Sequence, residues 1–289
     1  DGGGVLTTHQ EFGGRATQMD SPASVNFHAT HVAGTLIASG VQAAARGMSY
    51  QASLQAYDWD ADSTEMKNAA AAGLKVSNHS YGFLTGWYLS GGTWYWFGDV
   101  NLSTVEDAGF GYYSEQTWSW DNIARSYPNY LIVKSAGNDR MQGPAAGTGH
   151  YYWNPATSSW TWSTAARNLD GGPLGYDCVT DIGNAKNILT VGAVEDIAAG
   201  YSNPASVVMS SFSGWGPTDD GRIKPDIVAN GVGLYSSYVP NNNSYASLSG
   251  TSMASPSAAG SIGLLLQHQN NLFPGIALKS STMKGLLIH

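Results

Sequence analysis

The chain has 289 residues, 42% of them hydrophobic, so it is long enough to bury a sizeable core. Its formal net charge is −8 and it has no cluster of Lys and Arg, which argues against nucleic acid or an anionic membrane as a partner. No apolar stretch is long enough to span a bilayer. The one cysteine, Cys178, excludes an internal disulfide and a Cys-rich zinc site.

Strand-like and helix-like segments alternate along the chain, which predicts a parallel sheet with crossover helices. The last predicted helix is apolar on nearly every side, so we expect it to lie in the middle of the domain. Asp62, followed three residues later by Glu65, predicts a capping arrangement for the second helix. In chain order the predicted elements are helix His28–Ser39, strand Ala52–Tyr57, helix Thr64–Ala72, strand Lys75–His79, helix Trp120–Ser126, strands Tyr130–Ser135, Ile188–Val194 and Ile227–Ala229, and helix Ser252–Gln269.

Two stretches, Gly86–Trp120 and Met141–Gly175, look like insertions and hold eight of the ten tryptophans. We expect most of these aromatic side chains to pack against one another. Alternatively, the insertions form a wall of the substrate cleft or a separate surface that contacts carbohydrate or protein. No repeat or linker marks a boundary, so the sequence predicts a single domain over residues 1–289.

The segment LSGTSMASPSAAG (248–260) places Ser252 where a polar turn gives way to small and apolar residues. One interpretation is that Ser252 caps a buried helix, because serine is among the best N-cap residues. The other is that Ser252 is a nucleophile at a helix N-terminus, where the helix dipole and free N–H groups favour negative charge. Ser252 by itself does not decide between them.

The segment NFHATHVAGT (26–35) places His28 at the start of an Ala- and Gly-rich helix. Imidazole is the usual general base for a serine hydroxyl, because it titrates near neutral pH. His31 lies three residues further on and shares the helix face, but a metal pair would need a third ligand that nothing nearby supplies. We therefore predict that His28 is a base and His31 a packed core residue.

Two further residues have side chains that suit a serine nucleophile. Asp1 precedes a glycine-rich turn, and a buried aspartate fixes the tautomer of a catalytic histidine; on its own, a terminal Asp is more typical of a solvated loop. In LIVKSAGNDR a strand is followed by Ala136, Gly137 and Asn138. An asparagine at a strand end can donate to an oxyanion, although AGN is just as typical of a turn.

Together the segments DGGG, HATHVAGT, SAGN, SFSGWGPTDDGRIKPDIVA and SGTSMASPSAAG resemble the subtilisin-like serine peptidases, in that family's order Asp, His, Asn, Ser. GTSMASP is a highly specific signal for this family and HATHVAGT is a strong one. DGGG is a weak signal by itself, but its position and order in the chain support it. The resemblance covers nearly the whole chain outside the two insertions. It implies a three-layer α/β fold, with a mostly parallel central sheet and helices on both faces. It also implies that Asp1 is the orienting acid, His28 the base, Ser252 the nucleophile and Asn138 the oxyanion donor.

The resemblance also implies where a substrate binds. Ser80, Tyr81 and Gly82, in NHSYG, match an edge that pairs with the peptide and forms one wall of the S1 pocket. Ala136 and Gly137 match the opposite wall. The pocket floor falls near residues 176–181. An apolar or aromatic P1 side chain is the default expectation, whereas Asp177 or Asp181 at the floor would favour Lys or Arg.

The chain departs from the family's pattern at a few places. Ala29 stands where the family usually has Gly. Asp58, Asp60 and Asp62, in YDWDADS, resemble a calcium loop, but no Gly follows at the required place and Ala69 replaces the expected Glu. We therefore interpret these carboxylates as a loop and helix cap. The chemistry requires no cofactor, and the resemblance allows a structural calcium ion without locating its site.

From these features we predict a serine endopeptidase that acts on polypeptides. The alternative is a non-catalytic binding protein that uses its aromatic insertions on the same scaffold. An α/β-hydrolase esterase is excluded, because Ala254 replaces the last Gly of G-x-S-x-G and the serine comes last. Acid-acting relatives with a Glu base and an Asp oxyanion donor are excluded by His28 and Asn138.

Family resemblance implies an extracellular location, and the sequence leaves the oligomeric state open. In the family a strand precedes the catalytic Asp, and the terminal KGLLIH ends within a predicted helix. We therefore expect the chain to be a fragment truncated at both ends, and to be weakly active or inactive as it stands.

Overall fold

The computed structural model describes residues 1–289 and confirms the predicted alternation of strands and helices. The strands are β1 (Ala16–Gln18), β2 (Leu54–Ala56), β3 (Val76–His79), β4 (Trp87–Ser90), β5 (Thr93–Trp96), β6 (Leu131–Ser135), β7 (His150–Asn154), β8 (Ser159–Ser163), β9 (Leu189–Val194), β10 (Ile227–Asn230), β11 (Leu234–Tyr238) and β12 (Ser244–Leu248). The helices are α1 (Phe27–Ile37), α2 (Asp62–Ala71), α3 (Glu115–Ser126), α4 (Thr251–Leu272) and α5 (Ser280–Ile288).

The central sheet has four parallel strands in the order β10–β9–β6–β3. Every residue of β6 and β9 is buried. Their sequences, LIVKS and LTVGAV, are nearly continuous apolar runs, as expected of strands covered on both faces. All five strands predicted from the sequence are present, each within a residue or two of the predicted bounds.

Helices cover both faces of this sheet. On one face α4 and α5 pack against β6 and β9, and Val133, Ile262 and Met283 are fully buried there. On the other face α3 packs against the sheet, where Trp120 and Ile132 are fully buried. This arrangement confirms the predicted α/β fold with a mostly parallel sheet between two helical layers.

A second, two-stranded parallel sheet, β1–β2, lies beside helix α1. β2 and β3 are not hydrogen-bonded to each other, and each is the last strand of its sheet. Residues of both strands line a cavity of about 260 Å³. Helix α1 also packs on α4 and on the antiparallel β11–β12 hairpin. The approach is close at Gly34, where an added β-carbon would lie 2.2 Å from Oγ of Ser237.

The structure corrects two details of the helices. Helix α2 begins at Asp62, and its N-cap is Ala61 with no side-chain hydrogen bond, so the predicted cap by Asp62 is wrong. Helix α4 is buried through Ile262, but Leu264 is 41% and Leu272 58% exposed, so only its first half lies in the core. None of the helices is both long and apolar enough to cross a membrane.

The two insertions supply a separate four-stranded sheet in the order β4–β5–β7–β8. Its aromatic rings pack mainly against one another, as predicted: Trp87 contacts His150 edge-on and Tyr95 contacts Trp160 edge-on. Trp162 is 55% exposed, so part of this sheet's aromatic surface faces solvent.

Candidate active site

His28 is the second residue of α1, so its ring lies at the mouth of the helix. Asn26 caps the helix, and its side-chain oxygen accepts a hydrogen bond from the His28 N–H at 2.7 Å. The His28 side chain is 27% exposed. The imidazole is therefore partly accessible to solvent.

Asp1 lies directly beside this ring. Both of its carboxylate oxygens lie 3.0 Å from Nδ1 of His28, and one of them also accepts the Gly2 N–H at 2.7 Å. The α-ammonium group donates to the carbonyl of Tyr57 at 3.1 Å. Because a carboxylate only accepts, Nδ1 carries the proton and Nε2 is left as the basic nitrogen.

The pKa of His28 is set by opposing effects. Burial lowers it to about 4, and the positive α-ammonium of Asp1 acts in the same direction. The Asp1 carboxylate acts in the opposite direction, because it stabilises the imidazolium. The ring is therefore neutral, and able to accept a proton, at neutral pH.

Ser252 lies in the first turn of α4 and is half-buried. The N-cap is Gly250, without a side-chain hydrogen bond, so the interpretation of Ser252 as a helix cap is wrong. Oγ of Ser252 donates instead to the carbonyl of Ser80 at 3.2 Å. The hydroxyl thus faces the end of β3 and takes no part in capping.

Ser80 also compensates for a proline in α4. Pro256 is the sixth residue of the helix and lies inside it. A residue with an N–H at that position would bond to the carbonyl of Ser252. Oγ of Ser80 donates to this carbonyl at 2.9 Å, so the acceptor is satisfied from another element.

Asn138 follows β6 and is exposed, but its amide is oriented by Thr251. Its Oδ1 accepts the Thr251 N–H at 2.8 Å and the Thr251 hydroxyl at 3.0 Å. Nδ2 makes no hydrogen bond within the protein and lies 3.5 Å from the β-carbon position of Gly250. The free donor of the amide therefore lies next to the start of α4.

The predicted substrate-binding residues follow two neighbouring strands. Ser80, Tyr81 and Gly82 continue β3, and Ala136 and Gly137 continue β6, which pairs with β3 in parallel. Ser80 and Ala136 are buried. The structure thus brings both predicted walls to the carboxyl edge of the sheet, where Ser252 and Asn138 also lie.

The ring of Tyr81 points away from this edge. Its hydroxyl donates to Asp62 at 3.0 Å and lies 2.8 Å from Nδ1 of His79. Burial, followed by the charge of Asp62, raises the pKa of this hydroxyl. Only the backbone of Tyr81 is in a position to form part of a pocket wall.

Neither aspartate considered for the pocket floor lies between the two walls. Asp181 accepts hydrogen bonds from Ser114 and, at 3.2 Å, from Thr117 at the start of α3. Asp177 lies against Gly111 and Asp219, and burial raises its pKa to about 6.

The residues that do lie there are Thr180 and Lys134, which the sequence analysis did not single out. β-carbon positions on Gly82 and Gly137 lie 3.7 and 3.6 Å from Oγ1 of Thr180. Nζ of Lys134 lies 3.8 Å from the Gly82 position. The sequence signal that could have identified Lys134 is a lysine inside the otherwise apolar strand LIVKS.

The remaining polar candidates have structural contacts. His31 is fully buried, with Nε2 3.0 Å from the carbonyl of Leu234, which confirms it as a core residue. In the acidic loop the Asp60 N–H donates to Asp58. No group of three or more His, Cys, Asp or Glu side chains among residues 1–289 is arranged to hold a metal ion.

The sequence matches the family model described as the subtilase family over residues 8–289. The chain therefore belongs to the subtilase family. Asp1 precedes the matched region. Among solved structures, a cold adapted subtilisin-like serine proteinase matches 99% of this chain and 78% of its own, with a TM-score of 0.59 and 21% identity. That likeness agrees with the subtilisin-like fold.

Among curated proteins, the C5a peptidase of Streptococcus pyogenes serotype M3 is 43% identical over 91 residues, which are 32% of this chain and 7% of that protein. Serine protease AprX of Bacillus subtilis is 38% identical over 104 residues, 32% of this chain and 23% of that protein. The match thus spans only a small part of these relatives' length.

Proposed function

We propose that this chain is a serine endopeptidase in which Asp1, His28 and Ser252 form the catalytic triad. The observation that carries the proposal is the contact of both Asp1 carboxylate oxygens with Nδ1 of His28, which leaves Nε2 as a base. Ser252 attacks the scissile carbonyl after its Oγ turns from Ser80 toward His28. The imidazolium then returns the proton to the leaving amine.

The oxyanion that forms in this step needs donors that the ground state does not use. Nδ2 of Asn138 is free because Oδ1 takes both hydrogen bonds from Thr251. The Ser252 N–H, in the first turn of α4, has no partner within the helix. These two groups are the proposed oxyanion donors, with the N-terminus of α4 adding favourable electrostatics.

The substrate is proposed to be a polypeptide that pairs in extended form with residues 80–82 and 136–137. We propose an extracellular location, in keeping with the family, and no cofactor in the chemistry. A structural calcium ion remains a prediction without a site.

A fluorophosphonate probe tests the proposal. We expect covalent labelling of Ser252, located by mass spectrometry, and none in Ser252→Ala. Ser257→Ala is the matched control, because Ser257 lies on the same helix and its hydroxyl bonds only to the Met253 carbonyl. An adduct on another serine, with Ser252 unmodified in folded protein, contradicts the assignment.

A non-catalytic binding protein is the second candidate, favoured by the exposed Trp153, Trp160 and Trp162 of the inserted sheet. Folded protein that neither labels nor hydrolyses casein would support it.

A further inference from the structure

Gly82 and Gly137 follow the neighbouring strands β3 and β6, and both face Thr180. Its Oγ1 lies 3.7 and 3.6 Å from their β-carbon positions. We call the space next to these two glycines, which have no side chains of their own, the slot. At Gly82 nothing lies closer than ordinary contact distance, so the slot is open on that side. Ser252 and Asn138 lie at the same strand ends, so a side chain entering the slot belongs to a residue bound next to the nucleophile.

The ammonium of Lys134 lies at the inner end of this slot. The side chain is 2% exposed, and Nζ lies 3.8 Å from the β-carbon position of Gly82. Nζ donates to the carbonyl of Ser135 at 2.9 Å and to its hydroxyl at 3.1 Å. An ammonium has three N–H groups, so one donor remains unused.

Lys134 differs from the other buried lysine of the chain. Lys224, 5% exposed, has its Nζ 2.8 Å from a carboxylate oxygen of Asp226. Lys134 makes no ion pair at all. A buried charge without a partner is costly, and proteins retain such groups where a ligand completes them.

Two carboxylates face the same region, and neither forms an ion pair with Lys134. Oδ2 of Asp139 lies 3.0 Å from the β-carbon position of Gly137, and burial raises its pKa to about 6. Asp181 is held by hydroxyls of α3. Burial lowers the pKa of Lys134 to about 8, with Asp181 and Asp139 opposing, so the ammonium is charged at neutral pH.

We propose that Lys134 selects peptides whose P1 side chain ends in an oxygen acceptor, that is a carboxylate or a carboxamide, over apolar and basic side chains. The inference rests on the proposed peptidase function and specifies its substrate. Such an oxygen accepts a hydrogen bond from the unused N–H of the Lys134 ammonium. An apolar P1 side chain would leave that donor unpaired, and a Lys or Arg side chain would bring a second cation to the ammonium.

The test is a panel of peptides that differ only at P1, with Asp, Asn, Glu, Gln, Leu, Phe or Lys. Fluorophosphonate titration of Ser252 first gives the concentration of active protein. A hydrogen bond to a charged group contributes about 1.5–3 kcal/mol, so we expect kcat/KM for the best acceptor residue to exceed that for Leu by about tenfold to a hundredfold. Comparison of Asp with Asn separates charge from hydrogen bonding.

Lys134→Met should abolish or reverse this preference, whereas Lys75→Met, at an exposed lysine, should leave it unchanged. Two outcomes overturn this inference alone, provided that Ser252 labels normally. One is a wild-type preference for Leu, Phe or Lys at P1, and the other is an unchanged P1 preference in folded Lys134→Met. If Lys134→Met does not fold, the wild-type panel decides. Absence of labelling at Ser252 overturns the proposed function and this inference together.

Discussion

Ser80 and Ser252 exchange hydrogen bonds between side chain and backbone. Oγ of Ser80 donates to the Ser252 carbonyl at 2.9 Å, and Oγ of Ser252 donates to the Ser80 carbonyl at 3.2 Å. The first bond replaces the one that Pro256 cannot make. The second holds the hydroxyl of the proposed nucleophile at the end of β3, and this bond must break before Oγ can turn toward His28.

Ser80→Ala should destabilise the fold, because it leaves the Ser252 carbonyl without its donor. An unsatisfied buried acceptor costs about 1–3 kcal/mol, which chemical denaturation would measure. Pro256→Ala supplies a backbone N–H to the same carbonyl. The cost of Ser80→Ala should therefore shrink in the Pro256→Ala background, and equal costs in both backgrounds would contradict the compensation.

Asn138→Asp should separate the two functions of the amide. The carboxylate retains an acceptor for Thr251 but loses the Nδ2 donor. We expect kcat to fall by at least the roughly 10²–10³ typical of one lost oxyanion donor, with KM nearly unchanged and the melting temperature close to that of the wild type. A loss confined to KM would show that Asn138 binds the ground state.

The pH dependence of kcat/KM should reflect the neutral form of His28. The base accepts a proton only when unprotonated, so activity is present above the pKa and lost as the pH falls through it. Because burial lowers this pKa, the acid limb should lie below the ordinary histidine value of 6.5. The rate of fluorophosphonate labelling should show the same midpoint, and a midpoint above 6.5 would contradict the assignment.

Gly34→Ala should be strongly destabilising, because the new methyl group would meet the hydroxyls of Ser237 and Ser236 at 2.2 and 2.3 Å. Gly285→Ala is the matched control, since Gly285 is also helical and has nothing within 4 Å of its β-carbon position. The control should gain about 0.5–1 kcal/mol from helix propensity. Similar effects of the two substitutions on chemical denaturation would show that α1 does not pack as closely as described.

The central sheet and its main helices were predictable because their signals are local. Continuous apolar runs mark β6 and β9, and small residues mark α1 and α4. The positions of His28, Ser252 and Asn138 relative to helix starts and strand ends follow from short motifs.

The features that sequence analysis missed depend on residues far apart in the chain. Ser80 and Ser252 are 172 residues apart, and nothing near Pro256 reveals which group replaces its N–H. Asp62 was predicted to cap α2, but its carboxylate accepts a hydrogen bond from Tyr81. The sequence does not reveal this tertiary contact. The Lys134 slot is likewise formed by three separate segments.

The packing of α1 on α4 has a consequence for motion in the site. His28 lies at the start of α1 and Ser252 at the start of α4, and these two helices contact each other directly. The distance between imidazole and nucleophile therefore depends on side-chain packing between the two helices, which permits small sliding. Amide hydrogen exchange in the first turns of both helices should slow when a covalent inhibitor on Ser252 also contacts His28.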